Sequence, residues 1–214
     1  MTTTNNTKGN SPTQIMTPKG RVSFPSVFTP RKPLNPADEP KYGLTLLFDL
    51  KDPEVKAGLE KMKEFVISVA TAKWGPDKTK WPKGLRMPFR DGKEKDFEGY
   101  GDGIIFVAAS SKQKPGIVYP WAGTDGKPAP LTNPGDFYAG CFARATLSAY
   151  AYDKGGNRGV AFGLRNVQKL SDGEAFSGKT AAENDFDPIE TAPVAMADAD
   201  GTAAAAPSVD GMPF

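Results

Sequence analysis

Between Lys41 and Leu50 the side chains alternate, with Tyr42, Leu44, Leu46, Phe48 and Leu50 on one face and Lys41, Thr45 and Asp49 on the other. A repeat of two predicts a β-strand with one buried side. The repeat then changes. Asp52 can accept from the first free N–H groups of a helix, Pro53 suits the first helical position, and Val55, Leu59, Met62, Val66 and Val69 follow at helical spacing. An amphipathic helix is expected to end near Trp74-Gly75-Pro76, its stripe on the core and Lys56, Glu60, Lys61, Lys63 and Glu64 in water.

Upstream, Arg21-Val-Ser-Phe24 alternates as a strand, and the prolines at 25, 30, 33, 36 and 40 are expected to break the path into loop and edge segments. Downstream, residues 76–102 read as loop. Gly103–Ser110 and Gly116–Trp121 read as strands on either side of the basic turn Lys112-Gln-Lys-Pro115. The strongest β signal is a hairpin of residues 141–152 and 158–169 about Asp153-Lys-Gly-Gly-Asn157. In its first strand Ala143, Ala145, Leu147, Ala149 and Ala151 form a core face, with Phe142, Arg144, Thr146, Ser148, Tyr150 and Tyr152 opposite. In the second, Val160, Phe162 and Leu164 face the core, leaving Ala161, Gly163, Arg165, Val167 and Lys169 outside. One helix among several antiparallel strands and long loops predicts a mainly β protein. A small barrel of the oligonucleotide-binding (OB-fold) type fits, and a sandwich is the competing architecture.

Composition narrows the chemistry. With no histidine and one cysteine, Cys141, an intramolecular disulfide, His/Cys metal sites and Ser-His or Cys-His catalytic pairs are excluded, and no cofactor is expected. Cys141 reads as a small buried hydrophobe. No stretch has the length of apolar residues needed for a membrane span, so no membrane partner is expected. Charge is unevenly placed: residues 1–171 carry 26 Lys and Arg against 16 Asp and Glu, whereas residues 172–214 carry one against nine. This divides the chain into a polar, flexible arm (1–18), a basic domain (19–180) and a disordered acidic tail (181–214), and points to a polyanion as ligand.

Two constellations suit that ligand. The outer face of the late hairpin mixes Tyr150 and Tyr152 with Arg144 and Arg165, and Lys154 and Arg158 flank its turn. Aromatic rings stack on bases while cations neutralise phosphates, which is what sequence-tolerant single-strand binding needs. Residues 73–95 hold eight basic and three acidic side chains, with Lys80, Lys83, Arg86 and Arg90 interleaved with Trp74, Trp81 and Phe89. Such a loop can close over a strand, and at least one of the two tryptophans is expected to tuck into the core. A rival reading takes the carboxylates Asp91, Glu94, Asp96, Glu98 and Asp102 as an Mg²⁺ site of a nuclease. A third is a virion or scaffold protein without DNA affinity.

Phe137-Tyr-Ala-Gly-Cys-Phe142, Tyr150-Ala-Tyr-Asp-Lys-Gly-Gly-Asn157, Gly159-Val-Ala-Phe-Gly-Leu-Arg-Asn-Val-Gln168 and Asp172-Gly-Glu174 resemble a family of bacteriophage single-stranded DNA-binding proteins. Gly20-Arg-Val-Ser-Phe24, Lys41-Tyr42 and Lys114-Pro-Gly-Ile-Val118 extend the likeness over about residues 19–187. The resemblance implies an OB-fold barrel that coats single-stranded DNA during phage replication or recombination, in the cytoplasm of the infected bacterial host. The ending Asp210-Gly-Met-Pro-Phe214 is similar to the acidic, Pro-Phe-closed tails with which such proteins dock on phage or host replication partners. Asp210, Pro213 and Phe214 are the expected partner contacts, although the acidic residues here are sparse among alanines. A weak homo-oligomer is the remaining association left open.

Overall fold

The computed structural model describes residues 14–33 and 37–176. Its strands are β1 (Ile15–Met16), β2 (Gly20–Arg31), β3 (Lys41–Asp49), β4 (Phe89–Asp91), β5 (Ile104–Ser111), β6 (Gly116–Ala122), β7 (Pro128–Pro130), β8 (Phe142–Lys154) and β9 (Asn157–Ser171). The long helix α1 (Pro53–Trp74) follows β3.

Five strands close on themselves. β2 pairs with β3, β3 with β5, β5 with β9, β9 with β8, and β8 returns to β2 through Gly20–Ala143 and Arg21–Phe142. All but one of these pairings are antiparallel. The exception, β5 with β9, is the parallel contact that completes an OB-type barrel. The wall is thin there, with only Ala109–Phe162 and Ser110–Gly163 in register. Residues 86–91 fill the gap: β4 pairs with β5 from Phe89 to Asp91, and Arg86 exchanges backbone bonds with Arg158 (3.0 Å) and Val160 (2.9 Å) on β9. β6 continues in the direction of β5, running parallel to β9 at Gly116–Val118, and turns back into β7.

The barrel is filled by inward residues such as Val22, Leu46, Phe48, Leu147 and Phe162, all almost fully buried. Each contributes roughly 1.5–3 kcal/mol by leaving water. Helix α1 packs on β3, β8 and β9 through the expected stripe, widened by Phe65 and Ala70. Asp52 accepts from the Glu54 and Val55 N–H groups, so the helix starts where the capping pattern places it. Gly58 interrupts its propensity for a packing reason: a Cβ there would lie 2.7 Å from Pro18. The β8–β9 loop is Gly155-Gly156, both at positive φ, the conformation a two-residue hairpin turn requires.

The structure departs from the sequence expectations in four places. First, β2 runs through Pro25 and Pro30 without breaking, because both fall inside register shifts of the β2–β3 ladder where no N–H is needed. Second, Ile15 and Met16, within the stretch expected to be an arm, pair with β8, and Thr17 is buried with its hydroxyl accepting from the Ala145 N–H at 3.0 Å. Third, the 76–102 stretch contains β4 and two short 3-10 turns, at Lys78–Lys80 and Gly92–Glu94. Fourth, Val167 and Lys169 point inward, not outward. Thr146 faces Asn166 but Leu147 faces Leu164, so Arg165 is an extra residue and the alternation of β9 reverses beyond it. No helix among the described residues is long and apolar enough to cross a membrane. The tail expected from residue 181 lies outside the described residues, as do residues 1–13 of the arm.

Candidate nucleic-acid interface

The hairpin face singled out by alternation is where the outer surface opens. Tyr150 stands opposite Ala161 and Tyr152 opposite Gly159, and the next outer positions, Ser148 and Gly163, also face each other. One strand therefore supplies rings and its neighbour supplies almost nothing. Ala108 and Ser110 of β5 continue this low floor.

Three adjoining hollows follow it. The first, about 430 Å³, lies between Tyr150 and a rim of residues 31–33 and 38–41, with Tyr42, Thr45, Ala108 and Ser110 beneath. The second, about 590 Å³, shares Ala108, Ala161 and Phe162 with the first and reaches Tyr152, Arg86 and Arg90. The third, about 320 Å³, continues past Ser148 and Gly163 to Arg165 and Lys114. Together they form a trough along the outside of β9. Tyr150 is half-exposed within it, and its partly buried neighbour Tyr152 closes one end.

The trough is positively charged. Arg31, Lys32, Lys41, Arg86, Arg90, Lys114 and Arg165 line it, against Asp38, Glu39 and Glu94. Two of those three acids are already engaged. Lys112 hydrogen-bonds Glu39, and that bond together with the ammonium charge holds its carboxyl below the usual range. Glu94 accepts from Arg90 Nε at 2.8 Å and caps its own 3-10 turn. The guanidinium of Arg90 also lies 5.1 Å from the ring of Phe106, so it is aimed before any ligand arrives.

The remaining predicted residues fall elsewhere. Arg158 and Lys154 sit at the hairpin tip, where Arg158 is bonded to Asp153 at 3.1 Å. Arg144 is on the same face but beyond the Arg165 bulge. It donates to Gln168 at 2.8 Å in a separate hollow with Met16, Val118 and Pro128. Lys80 and Lys83 are exposed on the 78–84 turn and line none of these hollows, Lys80 lying 3.5 Å from Asp77. Trp81 is partly buried against the core and donates its indole N–H to Gly75 O at 2.8 Å; Trp74 also packs there. The exposed tryptophan is Trp121, 58 % accessible and stacked on Tyr119 at 4.3 Å. Sequence reading missed it because Gly116–Trp121 was read only as a strand. It missed Arg31 and Lys32 because they belong to the proline-rich stretch expected to be loop and edge, and Lys41 because the strand alternation marks it only as an outward position.

The acidic residues at 91–102 do not converge. Asp91 accepts from the Lys93 N–H, Glu94 is held by Arg90, and Asp102 bonds Lys93 at 2.8 Å, which lowers the pKa of the acid and raises that of the amine. Among the described residues no group of three or more His, Cys, Asp and Glu side chains could hold a metal ion. Cys141 is fully buried, and burial pushes its thiol up, away from the reactive thiolate.

Comparisons with known proteins bear on the fold and the family. Putative protein p50 of Acyrthosiphon pisum secondary endosymbiont phage 1 is 32 % identical over 180 residues, covering 80 % of this chain and 91 % of that protein. The single-stranded DNA-binding protein from bacteriophage Enc34, solved in complex with ssDNA, matches at a TM-score of 0.61 and 20 % identity, covering 77 % of this chain and 90 % of that one. Gp2.5, a single-stranded DNA-binding protein encoded by bacteriophage T7, matches at 0.50 and 14 % over 78 % and 90 % of the two chains. These two structural likenesses show a shared barrel. The model of the ssDNA-binding protein of Enterobacter phage Enc34 matches residues 13–199, and the chain belongs to that family of phage proteins.

Proposed function

We propose that this protein coats single-stranded DNA without marked sequence preference during phage replication or recombination, holding it in the trough along β9. The observation that carries the proposal is the trough itself: a floor of Gly, Ala and Ser, a half-exposed Tyr150, and seven cations against three acids. Flat floors and rings accept any base, and the cations take phosphates. In this reading Arg86, Arg90 and Arg165, which line the trough, take phosphates. Tyr150 and Tyr152 stack bases, while Lys154 and Arg158 extend the cationic track beyond the hairpin tip. No catalytic step is part of the reading, since Asp91, Glu94 and Asp102 are occupied by neighbouring cations and backbone and the described carboxylates do not gather into a metal-holding group.

A salt titration with oligo-dT tests it. Affinity should fall by about 300-fold or more between roughly 50 and 200 mM salt if six or more phosphates of the single strand are contacted. In the same assay Tyr150→Ala should cost about 1–3 kcal/mol, the worth of one stacked base. Salt-independent binding, or no binding to single strands, would reject the proposal. Its finer part concerns the tail: Asp210, Pro213 and Phe214 recruit phage or host replication proteins in the infected cytoplasm, while the acidic residues compete with DNA for the trough.

A further inference from the structure

The β2–β3 ladder contains one feature that packing does not explain. Ser23 faces Thr45 and Ser26 faces Gly43, so Phe24 and Pro25 together stand opposite Leu44 as a bulge. Phe24 sits there at φ 47°, the one non-glycine residue at positive φ among those described. That conformation is costly for a bulky side chain, and the following proline narrows the backbone choices further. It is nonetheless fastened on both sides. Arg31 Nη2 donates to the Phe24 carbonyl at 3.3 Å, and the Tyr100 hydroxyl is 3.2 Å from Ser23 Oγ.

The strain brings no burial. The ring of Phe24 is turned out, with the residue 43 % exposed, and meets Phe97, itself 52 % exposed, edge to face at 5.3 Å. Phe97 leans on Tyr100 at 6.0 Å and Tyr100 on Phe106 at 5.2 Å, so the exposed pair is rooted in a buried ring. A cation accompanies each exposed ring: Arg31 lies 6.0 Å from Phe24 and Lys95 5.9 Å from Phe97. Phe24 and Arg31 both line the first hollow of the trough.

We infer that Phe24 and Phe97 form a second base-stacking subsite, entered from the Arg31 end of the trough, with Arg31 and Lys95 taking the adjoining phosphates. Exposed rings of fixed geometry, each beside a cation, are complementary to an unpaired nucleotide, which offers a flat base and an anion a few ångströms apart. The bulge holds the ring outward in advance, so little ordering is left for the moment of binding. The inference rests on the proposed single-strand binding and lengthens its footprint beyond the Tyr150 region.

The test uses the full chain, Phe24→Gly and Phe97→Ala, with two fluorescent probes: oligo-dT and an abasic oligonucleotide of equal length. Glycine accepts φ 47° without strain, so Phe24→Gly should melt no lower than the parent. Each variant should bind oligo-dT roughly five- to 150-fold more weakly, yet bind the abasic probe like the parent. If the parent binds oligo-dT and both variants match it, the subsite is wrong while single-strand binding stands. Equal losses on both probes would also overturn it, since the rings would then not be reading bases. So would variants that lower the oligomeric mass in light scattering at unchanged affinity, because the pair would then be packing against a second copy. A parent that ignores both probes removes the function and the subsite together.

Discussion

At the scale of single residues, Lys169 shows how a lysine that strict alternation assigns to the outer face can be buried. Its side chain is 8 % exposed, and its ammonium is 2.6 Å from Asp172 and 5.5 Å from the ring of Tyr138. Asp172 is held below the usual carboxylate range by the hydrogen bond from Lys169 and then by the one from the Tyr138 hydroxyl. Asp172→Asn should cost about 1 kcal/mol in urea denaturation, less than a pair buried on both sides, because the side chain of Asp172 is 74 % exposed. The pH dependence follows from the lowered pKa. Stability from Asp172 is complete above the ordinary Asp range and is lost as pH falls through its folded-state value, so the variant should have a flatter acid limb. The pattern around Lys169 could not be read from its neighbours in sequence, since its partners are set by where β9 ends.

At the scale of elements, regular patterns were legible and their interruptions were not. The cap at Asp52, the helix stripe, the β3 alternation as far as Phe48 and the core face of β8 stand where local spacing puts them, because each is decided by residues within a few positions. Leu50, expected on the buried face, instead lies in the turn after β3 and is exposed. The bulge at Arg165 is decided across strands, by pairing with Thr146 and Leu147, and nothing in the run Gly163–Lys169 marks it. A strict period of two therefore puts Val167 in water, where the structure leaves it 1 % exposed. Val167→Asp should accordingly destabilise the fold by roughly 4 kcal/mol or more, while Arg165→Ser changes stability by no more than about 0.5 kcal/mol. Equal urea midpoints for the two variants would contradict the bulge. The same limit applied to the candidate site. The Tyr150 face was readable from alternation, whereas the rim from Arg31 to Lys41 depends on β2 bending through its prolines.

At the scale of the whole molecule, the charge reversal near residue 172 gains a physical setting. The described body ends with residues 172–176 fixed against the barrel: Arg21 Nη2 donates to Glu174 O at 2.7 Å, and the Arg21 guanidinium lies 4.3 Å from the ring of Phe176. In the proposed competition, the acidic stretch that follows residue 176 acts as a covalently attached ligand for the trough. Removing residues 183–214 should tighten oligo-dT binding at low salt, with the gain shrinking as salt screens both partners. Unchanged or weaker binding would show that the tail does not compete.

The barrel wall between β5 and β9 has a consequence of its own. Two residue pairs hold those strands directly, and the rest of the gap is bridged by the segment that carries Arg86 and Arg90 to the trough. The wall is therefore clasped by the same residues to which the proposed binding assigns phosphate. A strand of DNA lying across them would pin the clasp shut, so the protein would be hardest to unfold when loaded and easiest to open, at this seam, when empty. In the proposed coating role, unloading the cargo and loosening the container become one event.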